Sequence, residues 1–263
     1  MTFTWAVKRQ IVYVTILAIF FGIFGYMIIA PIIRQIPSCD DGRQNGDEAG
    51  IDCGGSCALV CIFQVDEINI LWSRAFEVVP GRYNAVAYLE NQNESSAIRR
   101  IRYRFRFADK NNIYIGMREG EVMVPPSRKF AVFEPALDFG NSVPVYVNFE
   151  FLETPVWVKA PEDKLKDIKL VVSDIELVDQ DTAPKLSATI KNNSLFIVPE
   201  IDISAILYDK EGNAITASRT YIEEMVGGEN KKIYFTWPRG IEQEAIAKEI
   251  MPTFDIFLAN LKY

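Results

Sequence analysis

The sequence predicts a mainly β chain with one N-terminal transmembrane helix, a small cysteine-rich module and two tandem β-sandwiches. Three observations lead to this architecture. A charge-free apolar run of 23 residues lies near the N-terminus, and all four cysteines fall within residues 39–61. The rest of the chain alternates between apolar and polar side chains in short runs bounded by Asn, Asp, Gly and Pro, which is typical of strands and turns.

The composition is that of a folded protein and narrows the functional classes. The chain has 263 residues, of which 49% are hydrophobic, so it is long enough for two domains of ordinary size. Its net charge of -7 argues against a nucleic-acid partner. It contains no histidine, which excludes Ser-His-Asp hydrolases, zincins and His-ligated iron enzymes. We therefore expect a non-enzymatic protein with no cofactor, apart from the calcium considered below.

The apolar run covers residues 11–33, which as a helix would extend roughly 34 Å, against about 30 Å for a hydrocarbon core. Lys8 and Arg9 precede it and Arg34 follows, so the positive-inside bias favours a cytoplasmic N-terminus. Because no small-residue cleavage site closes the run, we expect an uncleaved anchor. The sequence thus predicts a cytoplasmic stub (1–10), a single-pass signal anchor in the cell membrane (11–34) and extracytoplasmic C-terminal domains.

The cysteine-rich module (38–61) contains Cys39, Cys53, Cys57 and Cys61. Two CxxxC steps could bind zinc or an iron–sulfur cluster, although structural zinc sites usually use closer CxxC pairs. Disulfides are favoured because the cysteine number is even and the segment has too few apolar side chains for a core of its own. This interpretation places the segment in an oxidising compartment and leaves three connectivities open.

Acidic and amide side chains between the first two cysteines suggest a calcium loop. Asp41 and Asp52 would hold positions 1 and 12 of a twelve-residue window, but Arg43 stands where an oxygen ligand is needed. Tight turns built by Asp, Asn and Gly are the alternative. The possible calcium ligands are Asp41, Asn45, Asp47 and Asp52.

The same stretch resembles the C-x-DG-x-QNG-x-E-x-G-x-DCGG-x-C-x-x-C module of bacterial surface and adhesin-like proteins. Cys61 departs from the pattern, since three residues rather than two separate it from Cys57. The resemblance implies a surface location rather than an activity. The matching residues are Cys39, Asp41, Gly42, Gln44, Asn45, Gly46, Glu48, Gly50, Asp52, Cys53, Gly54, Gly55 and Cys57.

The part of the chain after Cys61 repeats itself. Asn91 matches Asn192, Asp109 matches Asp209 and Pro135 matches Pro238, at offsets of 101, 100 and 103 residues. A period near 100 residues in all-β sequence suits tandem immunoglobulin-like sandwiches. We therefore predict domain 1 at 62–158, a linker at 159–167 and domain 2 at 168–263. The predicted strands are 64–75, 83–91, 98–107, 113–118, 128–134, 143–153, 168–178, 185–192, 200–209, 213–222, 230–237 and 253–259, with a short helix near 240–249.

Domain 2 resembles the FxLYD family of small β-sandwich domains. Ile206-Leu207-Tyr208-Asp209 lies on the family's signature, and Gly212-Asn213 completes the turn. Domain 1 departs from it, with Arg106-Phe107-Ala108-Asp109 in that place. The resemblance implies a bacterial extracytoplasmic β-sandwich with no known catalytic site.

Residues 99–107, RRIRYRFRF, form the sharpest local feature of domain 1. In a strand, Ile101, Tyr103, Phe105 and Phe107 would face the core, and alternate arginines would face outward. Such a ladder could bind a protein or an anionic envelope polymer, or its arginines could pair with cross-strand Glu. The ladder residues are Arg100, Arg102, Arg104 and Arg106.

These features together predict a non-enzymatic, membrane-anchored cell-envelope protein with a structural or interaction role, presenting two extracytoplasmic β-sandwiches. The alternative is a subunit of a membrane-anchored assembly, such as a pilus or secretion apparatus. In that case the N-terminal helix would pack against other helices through Gly22, Gly25 and Ala30.

Overall fold

The computed structural model of the chain describes residues 4–33 and 38–261. The first three residues of the stub, Arg34 of the predicted anchor and the last two residues of the predicted domain 2 lie outside this part. The chain divides into two compact units, one ending at Ser56 and the other beginning at Cys57.

Helix α1 runs over Trp5–Ile33 and contains the predicted anchor. It begins six residues before the apolar run because Lys, Arg and Gln are good helix formers and nothing before residue 11 breaks the helix. Its apolar stretch, Arg9–Ile29, is 21 residues long and extends about 31 Å, so it is long and apolar enough to cross a membrane. No side chain described within this stretch is buried.

Domain 1 is a sandwich of two antiparallel sheets. One sheet has the order β1-β2-β5, and the other has the order β4-β3-β6, with β7 paired to the start of β3. A single 3₁₀ turn, Ile62–Gln64, leads into it. The strands are β1 (Asn69–Val79), β2 (Arg82–Asn91), β3 (Ser96–Ala108), β4 (Tyr114–Val124), β5 (Arg128–Asp138), β6 (Tyr146–Phe151) and β7 (Val158–Lys159).

Domain 2 has the same topology, strand for strand. Its sheets have the orders β8-β9-β12 and β11-β10-β13, and β14 pairs with the start of β10. The short helix α2 (Glu162–Asp167) joins the two domains within the predicted linker. The strands are β8 (Leu170–Val178), β9 (Lys185–Asn192), β10 (Phe196–Tyr208), β11 (Ala214–Met225), β12 (Asn230–Thr236), β13 (Ala247–Thr253) and β14 (Asn260–Leu261).

Equivalent polar residues form the same local structures in both copies. Asn91 and Asn192 are both buried, and each amide nitrogen donates to backbone carbonyls across the corner between the second and third strands. Asp109 and Asp209 each accept two backbone N–H groups in the following hairpin. The third match is wrong: the strand registers place Pro135 inside β5, whereas Pro238 follows the end of β12.

The helix expected near 240–249 is not formed. Residues 240–246 are irregular, and β13 begins at Ala247 and pairs with β10 along its whole length. The segment has helical propensity, but its last residues belong to β13, which completes the β11-β10-β13 sheet. Tertiary pairing therefore overrides local preference.

The two sandwiches pack directly against each other. The outer face of the β1-β2-β5 sheet covers the outer face of the β11-β10-β13 sheet, and the contact has its own buried apolar cluster. Trp72 and Tyr208 pack at its edge. The two domains that the linker joins are therefore in direct contact. The buried residues of this sandwich–sandwich interface are Phe76, Val86, Tyr88, Phe133, Ile206, Ala214, Ala217 and Met251.

Candidate interaction surfaces

All four cysteines are disulfide-bonded, so the disulfide interpretation of the cysteine-rich module is confirmed. The zinc and iron–sulfur alternatives are wrong, because oxidised sulfurs cannot act as thiolate ligands. Residues 58–60 continue into the sandwich unit, where Val60 donates its N–H to Trp157 and Leu59 forms a β-bridge with Val158.

The polar residues of the module form its internal framework. The Asp52 carboxylate accepts the backbone N–H groups of Asp41 and Gly42 at 3.0 Å each. Gln44 donates its side-chain amide to two backbone carbonyls, which closes the loop around Glu48. Gly55 has φ +51°, and a Cβ there would lie 2.0 Å from the Asp47 carbonyl oxygen. These contacts explain why a segment with so few apolar side chains needs these residue types in this order.

The calcium interpretation stays a prediction. Asp41 accepts the Arg43 N–H at 2.9 Å and the Asn45 amide at 2.7 Å, and Asp47 accepts the Ser56 hydroxyl at 2.7 Å. The carboxylates that would bind calcium, those of Asp41, Asp47 and Asp52, thus already act as acceptors within the loop. The Asn45 side-chain oxygen is buried without a hydrogen-bond partner in the described chain. Metal analysis of the purified protein tests this prediction directly.

The ladder of arginines lies on the outer face of the β4-β3-β6 sheet, here called the arginine face. Tyr103, Phe105 and Phe107 point inward and are buried, as the alternation predicts. The alternation is interrupted by a register shift between Ile98 and Ile101, which leaves the adjacent Arg99 and Arg100 both exposed.

Each arginine of this face pairs with a glutamate of a flanking strand. Arg100 pairs with Glu121. Glu119 bridges Arg102 at 3.6 Å and Arg104 at 2.6 Å, and Glu150 bridges Arg104 at 3.5 Å and Arg106 at 3.0 Å. Four arginines against three glutamates leave a net charge of +1. The face is therefore a patterned surface of both signs, and exposed pairs of this kind contribute only about 0–1 kcal/mol each.

A polar cluster spans the sandwich–sandwich interface. The hydroxyls of Tyr88 and Tyr208 donate to the two carboxylate oxygens of Glu249 at 2.6 and 2.7 Å. Burial, and then the hydrogen bond to Glu249, raise the pKa of both tyrosines well above the ordinary value. The cluster holds one sandwich in register with the other, because it joins β2 of domain 1 to β10 and β13 of domain 2.

Cations and aromatic rings complete this contact. The guanidinium of Arg99 lies 4.2 Å from the ring centre of Phe257, and that of Arg128 lies 5.6 Å from the ring centre of Phe254. Burial lowers the pKa of Arg128. Cation–π contacts contribute about 0.5–1 kcal/mol at exposed sites such as Arg99, and about 2 kcal/mol where the cation is desolvated.

A second buried polar cluster lies inside domain 1. Glu134 is 6% exposed and accepts the Tyr103 hydroxyl at 2.7 Å and the Arg118 guanidinium at 2.9 Å. Burial and the Glu134 hydrogen bond raise the pKa of Tyr103, and the Glu134 hydrogen bond raises the pKa of Arg118. A side chain at Gly120 would meet the Tyr103 hydroxyl at 2.4 Å. The cluster ties the two sheets together, and its carboxylate has both oxygens occupied.

A cleft of about 690 Å³ opens at one side of the sandwich–sandwich junction. Most of its charged side chains form structural bonds. Arg239 pairs with Glu77 at 3.4 Å, Arg74 donates to the Ala214 carbonyl at 3.1 Å, and Asp209 caps its own hairpin. The cleft thus belongs to the joint between the domains.

Comparisons with known proteins find only distant structural likenesses. No protein-family model and no curated protein matches the chain. Among solved structures, red sea bream transglutaminase is 10% identical over 72% of this chain and 31% of its own, with a TM-score of 0.26. Bacteroides uniformis beta-glucuronidase 2 is 12% identical over 66% of this chain and 22% of its own, with a TM-score of 0.18. The chain spans less than a third of the length of either enzyme, and at these TM-scores neither likeness bears on its function.

Proposed function

We propose that this chain is a non-enzymatic, membrane-anchored interaction protein of the bacterial cell envelope. Helix α1 anchors it by a single pass, and its C-terminal domains lie outside the cytoplasm. The two sandwiches act as one rigid body that presents the arginine face of domain 1 to a partner protein, with an anionic envelope polymer as the other candidate.

Two features support the location. A fully exposed apolar helix of this length is stable only when lipid or protein covers it. Disulfides persist in oxidising compartments, and all four cysteines are bonded. The resemblance of residues 39–61 to bacterial surface modules, and of domain 2 to the FxLYD family, favours the same location.

The observation that carries the interaction role is the unequal use of the two equivalent sheets. In domain 2, the part of the β11-β10-β13 outer face around Ile206 and Ala217 is apolar and covered by domain 1, and only its far part, with the Asp202–Arg219 pair, stays exposed. In domain 1, the equivalent face is charged and lies open, with Arg102 and Arg106 about half exposed. A free face of patterned charge favours specific and rapid association with a complementary surface.

In-cell crosslinking of the tagged full chain in its native membrane tests the proposal. The test variant is Arg102→Glu with Arg104→Glu, and Lys185→Glu with Lys232→Glu is the matched control on the free β8-β9-β12 face of domain 2. We expect the test variant to lose the crosslinked partner and the control to retain it. A partner that is retained equally by both variants would refute the role of the arginine face.

The assembly alternative gives a different pattern in the same experiment. If the chain is a subunit packed through α1, then Gly22→Leu with Gly25→Leu removes the partners and the arginine variants do not. A third outcome is that the arginine variant loses only its binding to anionic polymer. If that binding also weakens as ionic strength rises, the polymer is the partner.

A further inference from the structure

An apolar surface lies at one end of domain 1, where β3 ends and where β4 and β6 begin. Its six large side chains are each between 49% and 59% exposed. They expose on the order of 600 Å², which is at the upper end for the largest apolar patch of a monomeric protein. This surface, here called the apolar end, consists of Ile113, Tyr114, Met117, Val143, Val145 and Tyr146.

The strand registers show that domain 2 buries the equivalents of Tyr114 and Met117, which are Ala214 and Ala217, and leaves Ala247, the equivalent of Tyr146, exposed. Ala108 pairs with Tyr114 on one side and Tyr146 on the other. In domain 2, Tyr208 pairs in the same way with Ala214 and Ala247, and it packs against the sandwich–sandwich interface. The corresponding part of the domain 2 sheet is thus the place where one sandwich packs against the other within this chain.

In domain 2, this part of the sheet packs against the outer face of the β1-β2-β5 sheet of domain 1. That face has no exposed equivalent elsewhere in the described residues. The apolar β1-β2-β5 face is already covered by domain 2. The equivalent β8-β9-β12 face carries Ser173, Thr189 and Lys232 in the paired positions where domain 1 has Trp72, Tyr88 and Ala131. Head-to-tail repetition of the contact between copies would therefore bury polar and charged side chains, at a cost in free energy.

We propose that the apolar end of domain 1 packs against the same surface of a second copy of this chain, as a two-fold symmetric dimer. A standard interface buries about 800 Å² per partner, so the apolar end and part of its charged rim are sufficient. The adjacent rim carries both signs, with Arg106 paired to Glu150 at 3.0 Å. Two identical rims can therefore meet without accumulating charge of one sign.

The test is the mass of the detergent-solubilised full chain, measured by sedimentation velocity between about 1 and 100 μM, because interfaces of standard size have dissociation constants in the micromolar range or below. The test variant is Met117→Lys with Tyr146→Lys. The matched control is Tyr234→Lys, which changes a tyrosine of similar exposure on the free face of domain 2. A helix variant, Gly22→Leu with Gly25→Leu, distinguishes dimerisation through α1 from dimerisation through the apolar end. Val143→Asp, in the loop after β5, is an independent change to the same surface.

We expect the wild type, the Tyr234 variant and the helix variant to be dimers. The test variant and Val143→Asp should weaken the dimer at least about 100-fold, because each would bury unpaired charge in the contact. A monomeric wild type throughout this range overturns the proposal. So does a dimer that survives in the test variant, or one that is lost only in the helix variant. These variants leave Arg102 and Arg104 unchanged, so the result is independent of the arginine-face experiment.

Discussion

Replacing Tyr88 by Phe removes one hydroxyl from the sandwich–sandwich interface and leaves the ring in place. The lost hydrogen bond, at 2.6 Å to the Glu249 carboxylate, is short and charge-assisted. Tyr88 is 6% exposed, so water cannot replace the bond without repacking. Hydrogen bonds to charged groups contribute about 1.5–3 kcal/mol. Because Tyr208 still bonds to the carboxylate, we expect a loss near the lower limit, about 1.5–2 kcal/mol.

The matched control is Tyr83→Phe, also on β2. Tyr83 is 5% exposed, but its hydroxyl lies 3.5 Å from Glu77, at the limit for a hydrogen bond. We expect this change to cost less than about 0.5 kcal/mol. In the Glu249→Gln background the cost of Tyr88→Phe should fall to below about 1 kcal/mol, because a neutral acceptor remains.

The assay is urea unfolding of the detergent-solubilised full chain, followed by tryptophan fluorescence. The shared apolar cluster predicts that the two sandwiches unfold in one transition, to which the free-energy differences apply. An equal cost for Tyr83→Phe and Tyr88→Phe, or an unchanged cost of Tyr88→Phe in the Glu249→Gln background, would refute the cluster as the register lock between the domains.

Three further predictions concern the interface tyrosines, Gly55 and the two buried asparagines. Stability should fall as pH rises above about 10, because the tyrosines of the interface cluster ionise in the unfolded chain but stay protonated in the fold, and Tyr88→Phe should flatten that fall. Gly55→Ala should prevent correct disulfide formation, seen as alkylatable thiols by intact mass, since its Cβ would lie 2.0 Å from the Asp47 carbonyl oxygen. Asn192→Ala should cost about 2–4 kcal/mol in urea unfolding, since it leaves buried carbonyls without donors, and Asn91→Ala should match it.

Strands that alternate cleanly could be located from the sequence. β9, with Leu186 and Ala188 inward and Lys185 and Lys191 outward, has the predicted bounds. The inward aromatic residues of β3 and the disulfides were likewise predictable, because each depends on local pattern or on cysteine number. The short helix expected near 240–249 failed because its propensity is local, whereas the pairing of β13 with β10 is not.

The packing of one sandwich on the other was not predicted, although β2 carries its signal. Residues Ala85 to Leu89 are buried without interruption, so this strand is covered on both faces. A continuous apolar run in an otherwise alternating sheet indicates such double burial. Pairing of the ladder with cross-strand Glu was one of the two predicted alternatives and is confirmed. The individual partners could not be named, since Glu119 and Glu150 come from strands whose register with β3 the sequence does not reveal.

The most direct test of the central claim is the redox state of the four cysteines in protein taken from its native membrane. Intact mass after thiol alkylation, before and after reduction, is measured together with bound metal. We predict no alkylation before reduction, four modified cysteines after it, and no bound zinc. Four free thiols with bound zinc would place the sandwiches in a reducing compartment and contradict the account of an exported interaction protein.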